Sequence, residues 1–600
     1  MTPVTVHIPE RQQNEPAYWF FSQLARIFNS GQSRSVILHG NIHDLFWNSN
    51  QYVPLISFLK DKTGITGIIR IVYELNGPIR LDPSDHAKLQ DAWVNWKTGL
   101  DDRSLDLRES TKRESQLRNR RIEFDSLIQA SIGNATQALE FLRQLTICSR
   151  TTMRDKLLIV IEAADMLVPA GQGDIVGLSD AQLRRISIIT DWLSDPDFMA
   201  GQDSVCLLAE SRSQIHPRIS RLPQLLDLEV PAPTTETRLH FIEQFQRSST
   251  RKASLWGTSQ SLADFSAGLS LHALRQLLVE AAYDDAAMQP ADVIAMVQQY
   301  IQGQLGEDVV EFKKPSHRLD KVVGFKQLKT FLHEKMIPRL KTKGEGALPG
   351  AAVAGPIGGG KTFIFEALAA ELDLPVLVLK SIRSQWFGQT DVIFERLRRV
   401  LESLEKVVIF VDEADTQFGS VNAGAHETER RLTGKIQAMM SDTRLRGQVI
   451  WLLMTARIHL LSADIRRPGR VGDLIIPIMD PRDDDRRDFI RWVLSATPMT
   501  GNEDLVKRLD DQILAPDYSA AAFASLRSQL KAEPPADEAA LIELIHDHLP
   551  PAIEQTRRYQ TLQALVNCTR RSLLPDPEIT DQERAHWEVE IRQLEAQGVQ

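Results

Sequence analysis

The chain is poor in cysteine and in long apolar runs, and each shortage excludes a class of protein. Its 3 cysteines, Cys148, Cys206 and Cys568, lie far apart without CxxC spacing, which argues against a disulfide framework or a zinc site. Free thiols suit a reducing compartment, so we expect a cytoplasmic protein. The apolar runs at 157–161 and 407–411 are far shorter than the ~20 residues needed to span a bilayer. We therefore expect no membrane span, and residues 1–16 lack the pattern of a secretory signal.

Charge and length narrow the field further. The 600 residues include 70 Lys and Arg against 79 Asp and Glu, which gives a net charge of −9. A net acidic chain does not suit a dedicated nucleic-acid coat, although local basic patches remain open. Hydrophobic residues make up 42% and charged residues 25%, which excludes a wholly disordered or collagen-like chain. The length alone suggests about four domains.

The second half of the chain alternates short apolar strands with helices. Predicted strands are 351–355, 376–379, 407–415 and 449–456, and predicted helices are 363–372, 392–404 and 428–442. Helices of this length between strands indicate a parallel sheet covered on both faces, and strands that are apolar throughout fit such a buried sheet.

The first half repeats this outline more loosely. The runs SVILHG (35–40), LLIVIEAAD (157–165) and SVCLLAES (204–211) parallel the strands of the second half. The sequence therefore predicts an α/β protein with two tandem modules, each a parallel sheet followed by a helical lid. The predicted domains are an α/β domain at 1–235, a lid at 236–303, a linker at 304–318, a second α/β domain at 319–498 and a C-terminal lid at 499–600.

A dense run of charges interrupts the first module. Residues 101–121 hold basic and acidic side chains in similar number and no Gly or Pro. This composition is typical of a solvated helical insertion, and a partner-docking arm is the alternative.

A glycine-rich loop follows the first strand of the second module. Residues 355–362, GPIGGGKT, match GxxxxGK[ST] and lie between a predicted strand and a predicted helix. Glycines let successive N–H groups point inward around phosphates, and the helix N-terminus adds a partial positive charge. Lys361 then reaches the terminal phosphates and the Thr362 hydroxyl binds Mg²⁺. The loop predicts an ATP site.

A pair of carboxylates follows the apolar run at 407–411, at the carboxyl end of its strand. Open α/β sheets bind ligands at this end of their strands. Asp412 is therefore a second Mg²⁺ ligand, and Glu413 is the general base that polarises the attacking water. The alternative is an apolar strand that ends in capping acids.

Three arginines crowd a short segment near 465–470, IRRPGR. A guanidinium supplied from another molecule to the γ-phosphate stabilises phosphoryl transfer by ~10³–10⁵-fold. A basic surface turn is the plainer interpretation.

Together these segments resemble the classical AAA clade of the AAA+ ATPases over roughly 315–535. Further points of resemblance are DKVVG (320–324), ETERR (427–431), RPGR (467–470) and YSAAAFA (518–524). The tandem layout resembles bacterial and plastid members with a degenerate first module. The resemblance implies a ring, usually a hexamer, with Arg467 and Arg470 as fingers that reach a neighbour's ATP. It implies nucleotide contacts at Val323, Gly324, Gly355, Pro356, Ile357, Gly358, Gly359, Gly360, Lys361, Thr362, Phe363 and Asp412.

The sequence departs from the family pattern in two places. The strand at 449–456 ends in Thr455-Ala456, where the family has Thr-Asn, so Ala456 cannot orient water. Thr455 is the expected substitute, and Arg457 is a weaker one. In the first module no glycine-rich loop follows the strand at 35–40, and Glu162-Ala163 replaces the Asp-Glu pair. We predict that this module binds no ATP in the usual mode. His39 and His43 suggest either a metal or polar packing at a strand end.

An aromatic loop indicates what ATP is used for. By resemblance, Trp386, Phe387 and Gly388 form the pore loop of AAA unfoldases, where an aromatic grips extended peptide by apolar contact. Core packing is the alternative. The first hypothesis is an ATP-driven remodeller that threads or pulls a protein substrate. A nucleotide-switched scaffold with weak ATPase activity is the second, and a DNA-dependent ATPase is the third.

Overall fold

The computed structural model divides the chain into two compact units. One comprises Met1–Tyr300 with Asp391–Arg399, and the other Ile301–Thr390 with Val400–Gln600. The structure describes residues 15–599 except 65–66, 76, 100–109, 172–176, 284–286, 307–309, 314, 343, 345, 373, 381–389, 405, 419–426, 516 and 548–552. Within these residues, no helix combines the length and apolar character that a bilayer crossing needs.

The first half contains eight strands and thirteen helices among its described residues. The strands are β1 (Ser35–Gly40), β2 (Leu45–Trp47), β3 (Tyr52–Pro54), β4 (Ile68–Tyr73), β5 (Ile79–Arg80), β6 (Lys156–Ile161), β7 (Ser204–Ala209) and β8 (Leu225–Val230). The helices are α1 (Trp19–Ser30), α2 (Leu55–Lys62), α3 (Pro83–Thr98), α4 (Ser110–Ala130), α5 (Ala135–Thr152), α6 (Ala164–Leu167), α7 (Asp180–Ser194), α8 (Pro196–Ala200), α9 (Pro217–Ser220), α10 (Thr235–Ser248), α11 (Ser259–Phe265), α12 (Leu271–Tyr283) and α13 (Pro290–Leu305).

The second half follows with six strands and twelve helices in the part that is described. The strands are β9 (Val310–Lys313), β10 (Gly350–Ala354), β11 (Val376–Leu379), β12 (Val407–Val411), β13 (Val449–Thr455) and β14 (Ile475–Pro477). The helices are α14 (Lys326–Phe331), α15 (Ile337–Lys341), α16 (Lys361–Leu372), α17 (Thr390–Ser403), α18 (Ala414–Phe418), α19 (Glu427–Ser441), α20 (Asp483–Leu494), α21 (Glu503–Arg508), α22 (Ala520–Ala532), α23 (Glu538–Asp547), α24 (Glu554–Val566) and α25 (Asp581–Ala596).

The two main sheets share the order of their five parallel strands and differ in the antiparallel edge strand, because β5 follows β4 along the chain whereas β9 precedes β10. Their strand orders are β8-β1-β7-β6-β4-β5 and β14-β10-β13-β12-β11-β9. In each sheet the four central strands and one edge strand are parallel, and the last strand pairs antiparallel with its neighbour. The prediction of two tandem α/β modules is confirmed, and so is the correspondence of 35–40, 157–165 and 204–211 with the strands of the second module.

Each sheet is buried because its strands are apolar on both faces. In β1, Ile37 packs in one core cluster while its neighbours Val36 and Leu38 pack in another, on the opposite face. Alternate side chains of a strand point to opposite faces, so a strand between two helical layers must be apolar at every position. For this reason, the strands could be predicted from the continuous apolar runs in the sequence.

Two predicted domain boundaries need correction. The linker predicted at 304–318 contains β9, which is the edge strand of the second sheet, pairs antiparallel with β11 and buries Val310. The lid predicted at 499–600 is too wide, since α24 packs on β10 and β14. The lid helices α21 and α22 pack instead with α20, which lies before residue 498.

The charged insertion is helical where it is described. Helix α4 spans Ser110–Ala130, and Arg120 and Arg121 on it are exposed while Phe124 is fully buried. The solvated-helix interpretation therefore holds for this part, and the docking arm remains a prediction.

Candidate functional site

A cavity of about 570 Å³ lies in the second unit, at the carboxyl ends of its strands. Such a volume suits a ligand of nucleotide size. It is lined by four groups of residues: the glycine-rich loop and the start of α16, the acidic pair after β12, Thr455 and Ala456 at the end of β13, and a mostly apolar set from 321–325, α20 and α22. Of the residues predicted to form the site, the lining includes Val323, Ile357, Gly358, Gly360, Lys361, Thr362, Phe363, Asp412, Glu413 and Thr455.

The loop conformation requires its glycines. Gly360 has φ +87°, a left-handed value that side chains disfavour. At Gly355 an added Cβ would lie 2.1 Å from the Ile478 carbonyl oxygen, so the loop start passes directly over the backbone that follows β14. Helix α16 begins at Lys361, which places the amino end of the helix at the cavity.

Lys361 is held at the centre of this loop. Its Nζ donates to the carbonyl oxygens of Gly355 and Pro356, at 3.0 and 2.9 Å. Burial lowers the pKa of Lys361 to about 8, and the nearby carboxylate of Asp412 opposes that shift. The ammonium group therefore carries most of its charge at neutral pH and faces the space where phosphate would lie.

The acidic pair is exposed to the cavity. The Thr362 hydroxyl donates to Asp412 Oδ2 over 3.1 Å, so the two predicted Mg²⁺ ligands lie together. Glu413 adopts φ +47°, and its carbonyl oxygen accepts from the Thr416 hydroxyl at 2.7 Å. A left-handed conformation in a non-glycine residue costs ~1–3 kcal/mol and persists at functional sites where its surroundings enforce it.

Thr455 lines the cavity, yet its hydroxyl is already bonded. It donates to the buried Asp415 Oδ1 at 2.5 Å and accepts from the Arg457 amide at 2.8 Å. Arg457 Nε bonds the other oxygen of Asp415 at 2.7 Å. Thr455 would have to exchange a partner before it could orient a water, while Ala456, which also lines the cavity, offers no polar group.

The predicted arginine fingers do not line the cavity of their own chain. The Arg467 side chain is 68% exposed and lies 3.4 Å from Asp464 Oδ1. Arg470 donates to the Ser441 hydroxyl at 2.5 Å and to the Asp464 carbonyl at 2.8 Å. Both guanidinium groups are thus held at the surface. The predicted pore loop, with Trp386, Phe387 and Gly388, lies outside the described residues.

Sequence reasoning missed the apolar wall of the cavity. Phe489 and Trp492 lie three residues apart on α20 and line it, together with Phe325 and Ala524. Gly324, predicted to contact nucleotide, packs behind this wall, since a Cβ there would lie 3.0 Å from the Phe489 ring. The i,i+3 spacing of two aromatics directly after the sheet could have indicated this surface.

In the first unit, the segment that follows β1 is hydrogen-bonded to a helix of the same unit. After β1, the carboxylate of Asp44, 2% exposed, accepts from the N–H groups of Leu271 and His272 at the start of α12. Asn41 donates to the same carboxylate at 2.9 Å. A side-chain anion therefore satisfies the helix N-terminus there. His39 and His43 pair separately with Asp227 and Glu210, and the described residues include no cluster of acidic, histidine or cysteine side chains suited to a metal.

Glu162 stands where the second unit has Asp412, and Ala163 keeps the same left-handed turn with φ +50°. Burial raises the pKa of Glu162 to about 7, the Glu74 carboxylate adds to this, and Arg80, 2.6 Å away, opposes it. Since the folded pKa lies above the unfolded value, this group stabilises the fold at low pH and loses that contribution as pH rises through 7.

We therefore expect the first unit to lose on the order of 2 kcal/mol between pH 5 and pH 8, and Glu162→Gln to remove most of that loss. The loss of stability is measured by calorimetry of the full chain at each pH. The transition of the first unit is identified as the one whose temperature does not change when ATP is added. Glu280→Gln, an exposed change on α12, should keep the wild-type pH dependence. If the stability of the Glu162→Gln variant falls with pH as steeply as that of the wild type, Glu162 is not the group responsible.

Comparison with known proteins agrees with this geometry. Residues 12–231 match the family described as AAA+ chaperone, N-terminal Rossmann-like domain, and residues 351–477 match the ATPase family associated with various cellular activities (AAA). The chain is 30% identical over 161 residues to the cell division cycle protein 48 homolog of Archaeoglobus fulgidus, covering 26% of this chain and 21% of that protein.

Two further relatives show how far the likeness extends. The chain is 32% identical over 163 residues to the human ATPase family gene 2 protein homolog A, and the match covers 26% of this chain and 18% of that protein. An uncharacterized AAA domain-containing protein, ycf46, of Guillardia theta is 22% identical over 361 residues, 57% of this chain and 64% of its own. The match spans only about a fifth of the first two relatives. The chain belongs to the AAA+ ATPases, with an AAA ATPase domain in its second half and a degenerate AAA-like module in its first.

Proposed function

We propose that the second unit binds and hydrolyses ATP with Mg²⁺, and that the protein uses this energy to remodel a protein substrate. The observation that carries the proposal is one cavity bordered by the glycine-rich loop, the acidic pair and an aromatic wall. Lys361 and the loop N–H groups hold the phosphates, while Phe489 and Trp492 flank the base.

The donor atoms present suit Mg²⁺. Thr362 and Asp412 offer a hydroxyl and a carboxylate oxygen 3.1 Å apart, and Mg²⁺ prefers oxygen ligands. The described residues contain no larger cluster of potential ligands, so phosphate oxygens and water complete the set. When bound, the ion neutralises charge on the phosphates. Glu413 then accepts the proton of the attacking water.

The exposed arginines support assembly into a homo-oligomeric ring. Arg467 and Arg470 are held on the surface, so they are available to the nucleotide of a neighbouring copy. A hexamer is the ring size that the family resemblance suggests. A guanidinium supplied in this way stabilises the charge of phosphoryl transfer.

A protein substrate is the partner that the aromatic loop favours. By resemblance, Trp386, Phe387 and Gly388 belong to a pore loop, and an aromatic side chain can grip an extended peptide of any sequence by apolar contact. The net charge of −9 counts against a nucleic-acid partner. Three cysteines, free among the described residues, fit action in the cytoplasm.

A nucleotide-switched scaffold is the second candidate, and a specific observation favours it. Ala456 removes one water-orienting side chain, and the Thr455 hydroxyl is engaged with Asp415. Slow hydrolysis would then leave ATP as an assembly signal. A partner that releases the Thr455 hydroxyl from Asp415 would restore ATP turnover. The protein would then be a scaffold without that partner and a remodeller with it.

The rate of phosphate release separates these candidates. It is measured for the full chain under three conditions: alone, with an unfolded protein, and with DNA. Stimulation by the unfolded protein supports the remodeller. Ring assembly with ATP and uniformly slow release supports the scaffold. Stimulation by DNA alone would overturn both.

Trp386→Ala should abolish most of the stimulation by unfolded protein, because the loop loses its largest apolar contact. Phosphate release is measured with and without substrate. Trp19→Ala, a change at an exposed tryptophan in the first unit, is the control. Full stimulation of the Trp386 variant would show that this side chain does not grip the substrate.

A further inference from the structure

Helix α24 runs behind the glycine-rich loop and contacts several segments of the nucleotide site. Its Tyr559, Gln560 and Gln563 side chains are buried, with Gln560 only 2% exposed. Buried glutamines are uncommon and must be hydrogen-bonded, so their partners show what the helix holds.

The first end of α24 holds the glycine-rich loop. Gln560 Oε1 accepts from the Ile357 amide at 3.0 Å, and Arg557 Nε donates to the Ile357 carbonyl oxygen at 3.2 Å. Both backbone polar groups of Ile357 are therefore bonded to α24. The next loop amide with a printed partner, that of Gly359, donates instead to the Pro356 carbonyl oxygen at 3.2 Å, within the loop itself.

Arg557 also bonds the segments that lead to the lid, so it connects them to the glycine-rich loop. Its guanidinium pairs with Asp480 Oδ1 at 2.5 Å and donates to the Asp517 carbonyl at 3.0 Å. Asp480 lies between β14 and α20, and Asp517 precedes α22. The ion pair is well shielded, with Arg557 14% and Asp480 15% exposed. One side chain thus joins the loop, the passage from sheet to lid, and the lid.

The other end of α24 holds the arginine segment. Asn567, the residue after its last turn, accepts from Arg466 Nη1 at 3.0 Å, and Arg466 also donates to the Leu461 carbonyl at 3.0 Å. Between the two ends, the Tyr559 ring packs edge-on against His459, four residues beyond Thr455, with centroids 5.2 Å apart.

We propose that α24 is a strut that positions both the phosphate loop, through Gln560 and Arg557, and the arginine segment, through Asn567. A 13-residue helix is about 20 Å long and stiff, so its two ends keep a fixed separation. The inference rests on the proposed ATP site, and it makes these three side chains positioning residues rather than catalytic ones.

The test compares two buried glutamines of the same helix. Gln560→Leu leaves the Ile357 amide unpaired and should raise the Kd for ATP about tenfold. Gln563→Leu removes a bond of 3.1 Å to the Tyr559 hydroxyl instead, and should change that Kd less than twofold. Kd is measured with a fluorescent ATP analogue and Mg²⁺, and melting temperature is recorded for each variant.

The Kd values, read together with the melting temperatures, decide the outcome. A selective rise in Kd for Gln560→Leu, with both variants similarly destabilised, supports the strut, and equal Kd values overturn it. If Gln560→Leu does not fold, Arg557→Lys replaces it, with a Kd rise of about threefold expected and an unchanged Kd overturning the proposal. A wild-type chain that binds no ATP refutes the proposed function instead.

The contact between Asn567, at the carboxyl end of α24, and Arg466 is tested separately. Asn567→Ala should lower kcat severalfold in the assembled protein and leave the KM for ATP unchanged, because the phosphate loop keeps both of its contacts to α24. A rise in KM without loss of kcat would overturn the role given to Asn567. Arg558→Met, next to Arg557 and paired with Glu590, is the control for both measurements.

Discussion

Glu413→Gln is expected to lower phosphate release by at least two orders of magnitude while ATP stays bound. The carboxylate is exposed beside the cavity, and the amide that replaces it cannot take a proton from water. General-base catalysis is worth ~10²–10⁴-fold. The side-chain volume hardly changes, so the left-handed turn and the contacts of Asp412 and Thr362 should persist.

The measurement pairs phosphate release with the nucleotide content of the protein after gel filtration. The variant should carry ATP where the wild type carries ADP, and it should stabilise the proposed ring. Glu543→Gln, an exposed change on α23, is the matched control. Unchanged turnover would exclude Glu413 as the base. A variant that holds ATP would also retain its client, which makes it the natural bait for identifying the substrate.

The strands and the phosphate loop could be predicted because local sequence determines them. The run at 376–379 matches β11 at both ends, and GPIGGGKT requires a loop that only glycines can form. A strand covered on both faces must be apolar at every position, so it is visible without knowledge of its neighbours. Strand β9 escaped detection because it is only 4 residues long and lies within a polar segment.

The rest of the site depends on contacts between residues distant in sequence. Gln560 lies 203 residues from Ile357, and Asn567 lies 101 residues from Arg466. Nothing in the local pattern of α24 distinguishes Gln560 from Gln563, since both are polar residues on one amphipathic helix. Only the packing of α24 on β10 and β14 brings the first of them to the loop.

The same limit applies to the first module. The absence of glycines after β1 predicts that ATP does not bind there, but it does not reveal what this segment contacts. Asp44 accepts a hydrogen bond from the Leu271 amide, 227 residues away, so this contact became visible only in the structure.

Lys361→Ala is expected to raise the Kd for ATP at least a hundredfold. The ammonium is the cation of the phosphate loop, and it is anchored by two carbonyl oxygens, which limits the entropy lost on binding. A charged hydrogen bond in a shielded site contributes roughly 1.5–3 kcal/mol, and removing the charge also exposes phosphate to the uncompensated Asp412 carboxylate.

This variant separates binding from hydrolysis when it is set beside Glu413→Gln. Isothermal titration with ATP and Mg²⁺ should give no detectable heat for Lys361→Ala, and normal affinity for Lys507→Ala, an exposed change on α21. The melting transition of the second unit should also lose its ATP-dependent shift, while that of the first unit stays the same. Tight ATP binding without the Lys361 ammonium would mean that the loop N–H groups alone hold the phosphates, and Lys361 would not be a phosphate ligand.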